Sequence, residues 1–96
     1  MQIEHGDYSH IRILIAGCGS IGKRHAQVLS ELGVRFLTCC DPDEKQREGM
    51  REIVPDAHML ADFDNALELR QFDAAFILTP TKMHIDMACT ALRAGC

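Results

Sequence analysis

The stretch GCGSIG, residues 17–22, directly follows the apolar run IRILIA, residues 11–16, and decides the fold. A short, nearly continuous apolar run is typical of a strand that is buried on both faces. From Ser20 onward the period is that of a helix, and Gly33 follows as a stop signal. The apolar residues at helical spacing are Ile21, Val28, Leu29 and Leu32. The stretch therefore predicts a strand, a tight glycine turn and a helix.

Strand-like and helix-like segments continue to alternate along the rest of the chain. Further strands are predicted over residues 34–40, 57–60 and 73–78, and a polar helix over residues 43–53. A third helix follows Asp62, its expected N-cap, and carries Phe63, Ala66 and Leu67 inward. The last helix has Ile85, Ala88, Cys89 and Leu92 at i, i+3, i+4 and i+7, and it ends at Gly95.

This order of elements predicts the fold class. The sequence β-α-β-α-β-α-β-α implies a parallel sheet with right-handed crossovers, which is a doubly wound α/β fold of the Rossmann type. We assign residues 11–96 to this partial domain and residues 1–10 to a polar N-terminal tail.

Composition and charge limit the partners. The chain has 96 residues and a formal net charge of −4, and it contains no basic run, which argues against nucleic acid or an anionic membrane. It has no apolar stretch of about 18 residues, and its polar N-terminus is unlike a signal peptide. The five cysteines form no C-x-x-C pair. We interpret them as reduced, buried thiols of a cytoplasmic protein, with metal binding as the alternative, and we assign no metal ligand.

The three glycines of the turn have separate expected roles. Gly17 allows a tight turn out of the strand, Gly19 lets the backbone approach a pyrophosphate, and Gly22 lets the helix pack on the sheet. The free N–H groups and the helix dipole favour a doubly negative ligand. Because G-x-G-x-x-G here lies between a strand and a helix, it indicates a dinucleotide site. The alternative is a glycine corner without a ligand.

An acidic residue follows at the expected distance. Asp41 ends the second predicted strand, 19 residues after Gly22, where a carboxylate can accept hydrogen bonds from the adenosine ribose. A carboxylate there repels a 2′-phosphate, so NAD is favoured over NADP. Arg47 could favour the phosphate, but it lies six residues beyond Asp41 in the next helix. The alternative is that Asp41 only caps that helix.

Two motifs together resemble one family. GCGSIGKRHAQVL and DAAFILTPTKMHIDMACTALRAGC are similar to the Gfo/Idh/MocA oxidoreductases, in the right order and over nearly the whole chain. The resemblance implies that Thr79 and Pro80 lie beside the nicotinamide half of the cofactor. Thr81 stands where the family commonly has Asn. The resemblance places Gly17, Gly19, Ser20, Ile21 and Gly22 around the pyrophosphate and Asp41 on the ribose.

Two histidines belong to the same motifs. His84 matches the family's His near the start of the last helix, and the alternative is a histidine that only bonds nearby backbone. We interpret His25, on the first helix, as structural.

The resemblance also implies an activity. It implies an NAD(P)-dependent dehydrogenase that transfers hydride between nicotinamide and a sugar, polyol or related hydroxyl substrate. Whole members continue with a Glu-Lys-Pro motif and a second α/β domain, whereas this sequence stops at Cys96. We therefore assign no catalytic residue, expect a substrate only in a complete protein, and expect the 96-residue chain to be inactive alone. The alternative is a stand-alone NAD-binding regulatory or docking module.

The predicted sheet also has an edge. In the usual strand order 3-2-1-4-5-6, a chain with four strands leaves the fourth one at the edge, with unpaired backbone groups. We expect the chain to self-associate through this fourth-strand edge or to be unstable in denaturant.

Overall fold

Strands and helices alternate through the described residues, 8–79 and 83–96, of the computed structural model. The elements are β1 (Arg12–Ala16), α1 (Ser20–Glu31), β2 (Phe36–Cys40), α2 (Glu44–Ile53), β3 (His58–Leu60), α3 (Phe63–Leu69), β4 (Ala74–Ile77) and α4 (His84–Arg93). The predicted order is therefore confirmed. No helix in this part of the chain is long and apolar enough to cross a membrane.

The four strands form one parallel sheet in the order β3-β2-β1-β4. In its register, Leu14 of β1 lies opposite Thr38 of β2 on one side and Ala75 of β4 on the other. The strand order reverses direction between β1 and β4, which makes this boundary the topological switch point. The predicted doubly wound sheet is confirmed.

The second strand begins two residues later than predicted. Val34 is not in β2, because its N–H donates to the carbonyl of Leu29, 3.1 Å away, and closes the end of α1. Gly33 has a φ of +95°, the left-handed conformation that ends a helix. Val34 is nevertheless buried, so its apolar character reflects the core and not the strand.

Each face of the sheet carries a core. The first core lies on the side of α1 and α2 and contains Ile13, Ile15, Cys18, Ala26, Val34, Leu37, Cys39, Met50 and Val54. The second core lies on the side of α3 and contains Leu14, Ala16, Cys40, Ala66 and Phe72. Because alternate strand residues face opposite ways, the neighbours Cys39 and Cys40 belong to different cores.

In two helices, the buried residues differ from those that the apolar spacing predicts. In α1 the buried positions are Gly22 and Ala26. Of the predicted apolar positions, Leu29 packs against the first core, whereas Ile21, Val28 and Leu32 are exposed. In α4 the buried position is Ala91, whereas Ile85, Cys89 and Leu92 are exposed. Small residues let a helix approach the sheet closely, and the larger apolar side chains then lie outside the contact. The third helix agrees with its prediction, since Asp62 is its N-cap, Ala66 is buried and Phe63 and Leu67 pack on the second core.

Candidate functional site

The glycine turn lies where the carboxyl ends of three strands meet. Gly17 has a φ of +112°, and its N–H donates to the carbonyl of Cys40, at the end of β2, over 2.8 Å. A Cβ at Gly17 would lie 2.7 Å from the carbonyl oxygen of Leu78, just beyond β4. Both the conformation and the space therefore require glycine at this position.

Gly22 brings α1 onto the turn. A Cβ at Gly22 would overlap the backbone carbonyl oxygen of Gly17 and would also contact the side chain of Ile15. Because a backbone atom is the obstacle, no side-chain movement can make room. Gly22 thus allows the helix to begin directly against the end of β1, as the sequence predicts.

Gly19 faces open space. It is the N-cap of α1, with φ −72° and ψ −166°, and a Cβ built on it would have nothing within 4 Å. The packing of the chain therefore does not require glycine at this position, whereas a ligand that lies against the backbone would require it. Ser20 and Ile21 follow in the first helical turn, and both are exposed.

The N-terminus of α1 differs from those of α2 and α3. Asp43 caps α2, and its carboxylate accepts the N–H of Lys45; Asp62 caps α3 in the same way. Both of those helices also carry an acidic residue in their first turn, whereas α1 has neither a side-chain cap nor an acid there. The amides and the positive dipole end of α1 are therefore available to an anion.

Asp41 joins the glycine turn to the loop after β2. Its Oδ2 accepts the N–H of Cys18 over 2.9 Å, and its Oδ1 accepts the N–H of Asp43 over 2.8 Å. A carboxylate has about four lone-pair positions, so each oxygen can still accept a further hydrogen bond. Asp41 is only partly buried, which leaves it accessible to a ligand hydroxyl.

Two cationic side chains donate hydrogen bonds to backbone carbonyls at the glycine turn and at Asp41. Arg47 donates from Nη1 to the carbonyl of Asp41 over 2.6 Å, although six residues separate them. Lys23 donates from Nζ to the carbonyl of Cys18 over 2.6 Å and to Oε1 of Gln46 over 2.7 Å, so it links α1 to α2. Sequence reasoning did not select Lys23 or Gln46.

Lys23 and Gln46 could not be selected from the sequence, because their contact depends on how closely α1 packs against α2. The lysine stem crosses Gly49 of α2, where a Cβ would lie 2.7 Å from Lys23 Cε. A glycine inside a polar helix was the one available signal of such a close approach.

Thr79 and Asp41 line the same cavity. The cavity has a volume of about 200 Å³ and lies at the carboxyl ends of β1 and β2. It is lined by Ala16, Cys40, Asp41, Pro42, Ala61, Asp62, Phe63, Thr79, Met83 and Met87. The fold thus brings together two site residues that are 38 positions apart in the sequence. Pro80, like Thr81 and Lys82, lies outside the described residues.

The two histidines of the motifs both bond backbone carbonyls. Nε2 of His84 bonds the carbonyl oxygen of Thr79, and Oγ1 of Thr79 donates to Sδ of Met87 over 3.1 Å. Nδ1 of His25 lies 2.9 Å from the carbonyl oxygen of Ile21. The His25 ring packs edge-on against the ring of Phe76, with 5.8 Å between the ring centroids. These contacts agree with the structural interpretation of His25, and they give His84 a positioning contact with Thr79.

The buried thiols belong to the cores. Burial raises the pKa of Cys40 to about 12. The hydrogen bond between Cys18 and Cys39 raises the pKa of Cys39, and it lowers the pKa of Cys18. Cys39 and Cys40 therefore remain protonated at neutral pH and pack as small apolar side chains. Across the described residues, no three His, Cys, Asp or Glu side chains lie close enough together to hold a metal ion.

A larger cavity lies at the opposite end of the sheet. It has a volume of about 500 Å³, near the amino ends of β1, β2 and β3, with Arg12, Phe36 and His58 among its lining residues. Ligands of open α/β sheets bind outside the carboxyl ends of the strands, at the switch point. The glycine turn, and not this larger cavity, is therefore the candidate site.

The site and the fold together define a Rossmann domain of the dinucleotide-binding class. A family model described as an oxidoreductase family with an NAD-binding Rossmann fold matches residues 11–96. The chain belongs to this family, the Gfo/Idh/MocA oxidoreductases.

Known relatives support the assignment. Inositol 2-dehydrogenase of Arthrobacter sp. is 33% identical over 84 residues, which cover 85% of this chain and 25% of the relative. A 4-carboxy-2-hydroxymuconate-6-semialdehyde dehydrogenase of Sphingobium sp. is 29% identical over 86 residues, covering 88% of this chain and 27% of the relative.

Solved structures agree with the fold. Myo-inositol 2-dehydrogenase from Lactobacillus plantarum matches with a TM-score of 0.77 and 31% identity, covering 88% of this chain and 26% of that one. Scyllo-inositol dehydrogenase from Lactobacillus casei, solved with bound NAD(H) and scyllo-inositol, matches with a TM-score of 0.78 and 25% identity over the same shares. The chain thus spans about a quarter of the length of the relatives it matches.

Proposed function

We propose that the glycine turn binds the pyrophosphate of NAD. The observation that carries this proposal is the N-terminus of α1, which has no side-chain cap and begins at Gly19, where open space adjoins the backbone. The amides of Ser20, Ile21 and Gly22 follow in the first turn and can donate to the phosphate oxygens. Gly17 shapes the turn that presents them.

We place the adenosine ribose on Asp41. Its two carboxylate oxygens are fixed by the amides of Cys18 and Asp43, so the ribose would meet an acceptor held in one orientation. A negative charge at this point disfavours a 2′-phosphate, which favours NAD over NADP. Arg47 donates to the carbonyl of Asp41. It therefore serves as a positioning residue for Asp41.

We place the nicotinamide half of NAD beside Thr79 and Pro80, at the switch point. Thr79 shares a cavity with Asp41, which supports a ligand that extends across the carboxyl edge of the sheet. His84 bonds the Thr79 carbonyl and would act on the cofactor site through that residue.

The reaction follows from the cofactor. When bound, NAD supplies hydride transfer at its nicotinamide ring, and the residues of this chain bind and orient it. We propose a sugar, polyol or related hydroxyl compound as substrate of the complete protein, because inositol dehydrogenases are among the relatives. We assign no proton-transfer group to the described residues, and we expect the 96-residue chain to bind NAD without turnover.

A reducing, cytoplasmic setting fits the thiols. The cysteines are free, and Cys18, Cys39 and Cys40 are buried in the two cores. Free buried thiols are usual where the cell keeps cysteines reduced.

The decisive experiment compares two glycine variants at opposite ends of α1. A Cβ at Gly19 or at Gly33 would meet nothing within 4 Å, but only Gly33 has a positive φ. We expect Gly19→Ala to weaken NAD binding at least about tenfold in calorimetric titration, since the Cβ would occupy the ligand space, and to leave thermal unfolding unchanged. Gly33→Ala should lose about 1 kcal/mol of stability through strain and keep NAD binding.

Other outcomes separate the remaining hypotheses. Equal NAD binding by the wild-type chain and Gly19→Ala would contradict the proposed phosphate site. Tighter binding of NADP than of NAD would contradict the role of Asp41. Turnover of a polyol by the 96-residue chain would contradict the assignment of binding alone, and binding without turnover would also fit a regulatory module.

A further inference from the structure

The 500 Å³ cavity near the amino ends of β1, β2 and β3, here called the amino-end cavity, exists because α3 is short. A helix rises about 1.5 Å per residue, so the seven residues of α3 cover only part of this face of the sheet. The buried Ala66 of α3 shares a core with Ala16 and Cys40, which end β1 and β2. Within the described residues, the amino ends of these strands are left without a helix over them. None of the residues that line the cavity belongs to β4 or α4.

Cationic side chains dominate the lining of the amino-end cavity. Three arginines, Arg12, Arg35 and Arg70, line it together with His58, and Asp56 is the one acid among the described lining residues. The lining therefore has an excess of positive charge even when His58 is neutral. The chain as a whole carries a net charge of −4, so the cavity has the opposite sign. A cleft lined by positive charge attracts an anionic ligand.

The three arginines differ in how far they are already engaged. Arg12 pairs with Asp73, with 3.8 Å between Nε and Oδ2 and both side chains half exposed. Nη2 of Arg70 lies 3.1 Å from Nε2 of His58. Arg35 is exposed, and its side chain forms no hydrogen bond or ion pair with any residue that the structure describes. Its planar guanidinium is therefore free to bind a carboxylate or a phosphate through two parallel hydrogen bonds.

A hydroxyl group without a partner opens into the same cavity. Thr38 is only 2% exposed, and it lines the cavity from the middle of β2. Its hydroxyl forms no hydrogen bond within residues 8–79 and 83–96. In that part of the chain no fully buried side-chain oxygen or nitrogen lacks a partner, so this hydroxyl must be reached from the cavity. A ligand that hydrogen-bonds to it would supply the missing partner.

Apolar side chains form the remaining walls. Phe36, Leu69 and Phe72 all line the cavity, and Phe72 is buried. Phe36 is 53% exposed and Leu69 is 62% exposed, so a flat apolar ligand would cover apolar area on both. Apolar walls with a few convergent polar groups, in a cavity of this volume, are typical of a small-molecule site.

We propose that the amino-end cavity binds a small aromatic anion, which is a flat ring system carrying one carboxylate or phosphate group. The ring lies against Phe36 and Leu69, and the acid group binds the guanidinium of Arg35. The hydroxyl of Thr38 hydrogen-bonds to a polar atom of the ligand. The amino-end cavity and the glycine turn lie at opposite ends of the sheet, so this inference does not depend on the proposed function.

The first test titrates the full 96-residue chain in a calorimeter with three probes that share one ring system. These probes are 2-naphthoate, 2-naphthyl phosphate and the uncharged 2-naphthamide. We expect at least one anion to bind at least about tenfold more tightly than the amide, because hydrogen bonds between charged groups are the stronger ones. The tighter anion identifies the acid group that the cavity prefers. Equal binding of all three probes, or binding of none, would overturn the proposal.

A second test assigns the binding to residues of the cavity. Arg35→Gln should weaken binding of the preferred anion at least about tenfold and leave binding of 2-naphthamide unchanged. Its control, Arg24→Gln, removes the same charge from an exposed position of α1 outside the cavity and should change neither. Phe36→Ala should weaken all three probes about threefold, whereas Leu32→Ala, at a similarly exposed position next to α1, should weaken none. Equal effects of the two arginine variants would mean general charge attraction and would contradict the site.

A third test locates the bound probe by nuclear magnetic resonance of the ¹⁵N-labelled chain. The preferred anion should shift the backbone amide resonances of residues 35–38 and 69–72 and leave those of residues 17–22 unchanged. Added NAD should not displace it. Shifts confined to residues 17–22, or displacement by NAD, would place the probe in the glycine turn and overturn the proposal. Failure of NAD to bind would instead count against the proposed function alone.

Discussion

The strands β1 and β4 are neighbours in the same sheet, yet their surroundings differ. Four of the five residues of β1 are buried, from Ile13 to Ala16, whereas all four residues of β4 are only partly buried. The helix that follows each strand has no side-chain cap. However, within residues 8–79 and 83–96, β1 lies between two strands and β4 pairs with one.

This difference shows that the position of a strand in the sheet, and not its apolar content, decides how deeply it is buried. IRILIA and DAAFIL are both largely apolar in sequence, but only the first contains a run of buried residues, Ile13 to Ala16. The glycine turn follows β1, where the carbonyl of Gly17 and the amide of Cys18 are fixed by close packing and by Asp41. The residues of β4 have fewer such neighbours, and all four are only partly buried. The predictions below test this division.

The largest effect is expected from Gly22→Ala. The added Cβ would overlap the carbonyl oxygen of Gly17, and only a shift of α1 could relieve the overlap. We expect a loss of about 4 kcal/mol or more, enough to prevent folding of a small domain. Circular dichroism in a urea titration would measure it. Gly95→Ala is the control at the α4 end, where a Cβ has space but φ is +96°, and it should cost about 1 kcal/mol.

A second prediction compares the two strands directly. Leu14 and Ile77 both pack on the second core, but Leu14 is fully buried and Ile77 only partly. We expect Leu14→Ala to lower the free energy of unfolding by about 3 kcal/mol and Ile77→Ala to lower it by about 1 kcal/mol. Chemical denaturation of both variants at one protein concentration would measure the difference. Equal losses would mean that the β4 region is as tightly packed as the β1 region.

A third prediction concerns the link through Asp41. Asp41→Ala removes an acceptor from the amides of Cys18 and Asp43, so we expect a loss of about 2 kcal/mol without any ligand present. Asp62→Ala removes the N-cap of α3, which accepts one amide at 3.3 Å, and should cost about 1 kcal/mol. Thermal unfolding of both variants would compare them. A smaller loss for Asp41→Ala would show that the carboxylate does not hold the turn.

The smallest effect is a difference in chemical reactivity, with no change in stability. The thiol of Cys40 is buried and its pKa is raised to about 12, so at pH 8 about one thiol in ten thousand is ionised. The thiol of Cys89 is exposed. We expect iodoacetamide to alkylate Cys89 first and Cys40 only after unfolding, as mass spectrometry of timed samples would show. Alkylation of both at similar rates would indicate that the core opens readily.

The sequence was sufficient for the order of elements and for the glycine turn, because strand and helix periods and turn residues are local signals. It was misleading for α1 and α4. Hydrophobic spacing selects large residues such as Ile21 and Leu92, whereas the contacts are made by small ones such as Gly22 and Ala91. A single-sequence pattern does not record how closely a helix approaches a sheet.

The candidate site shows the same limit. The separation of Asp41 from the glycine turn was informative, since both lie at strand ends that a parallel sheet brings together. The sequence did not indicate the hydrogen bond from Arg47 to the carbonyl of Asp41. A separation of six residues suggests a long distance, but the first turn of α2 brings Arg47 back to the loop. The hydrogen bond from Lys23 to Gln46 depends on the packing of α1 against α2. In the sequence, only Gly49 indicated this close packing.

Asp41 has a consequence for any attempt to change coenzyme preference. Because a carboxylate at the end of the second strand disfavours a 2′-phosphate, replacing Asp41 is the direct way to try to admit NADP. Here the same carboxylate ties the Cys18 amide of the glycine turn to the loop that starts α2. A substitution chosen for its charge alone would therefore loosen the part of the backbone that we propose binds the pyrophosphate. Replacements that keep a side-chain acceptor at the same reach, such as Asp41→Asn, should preserve one of these bonds, and the selectivity itself would then have to come from other residues.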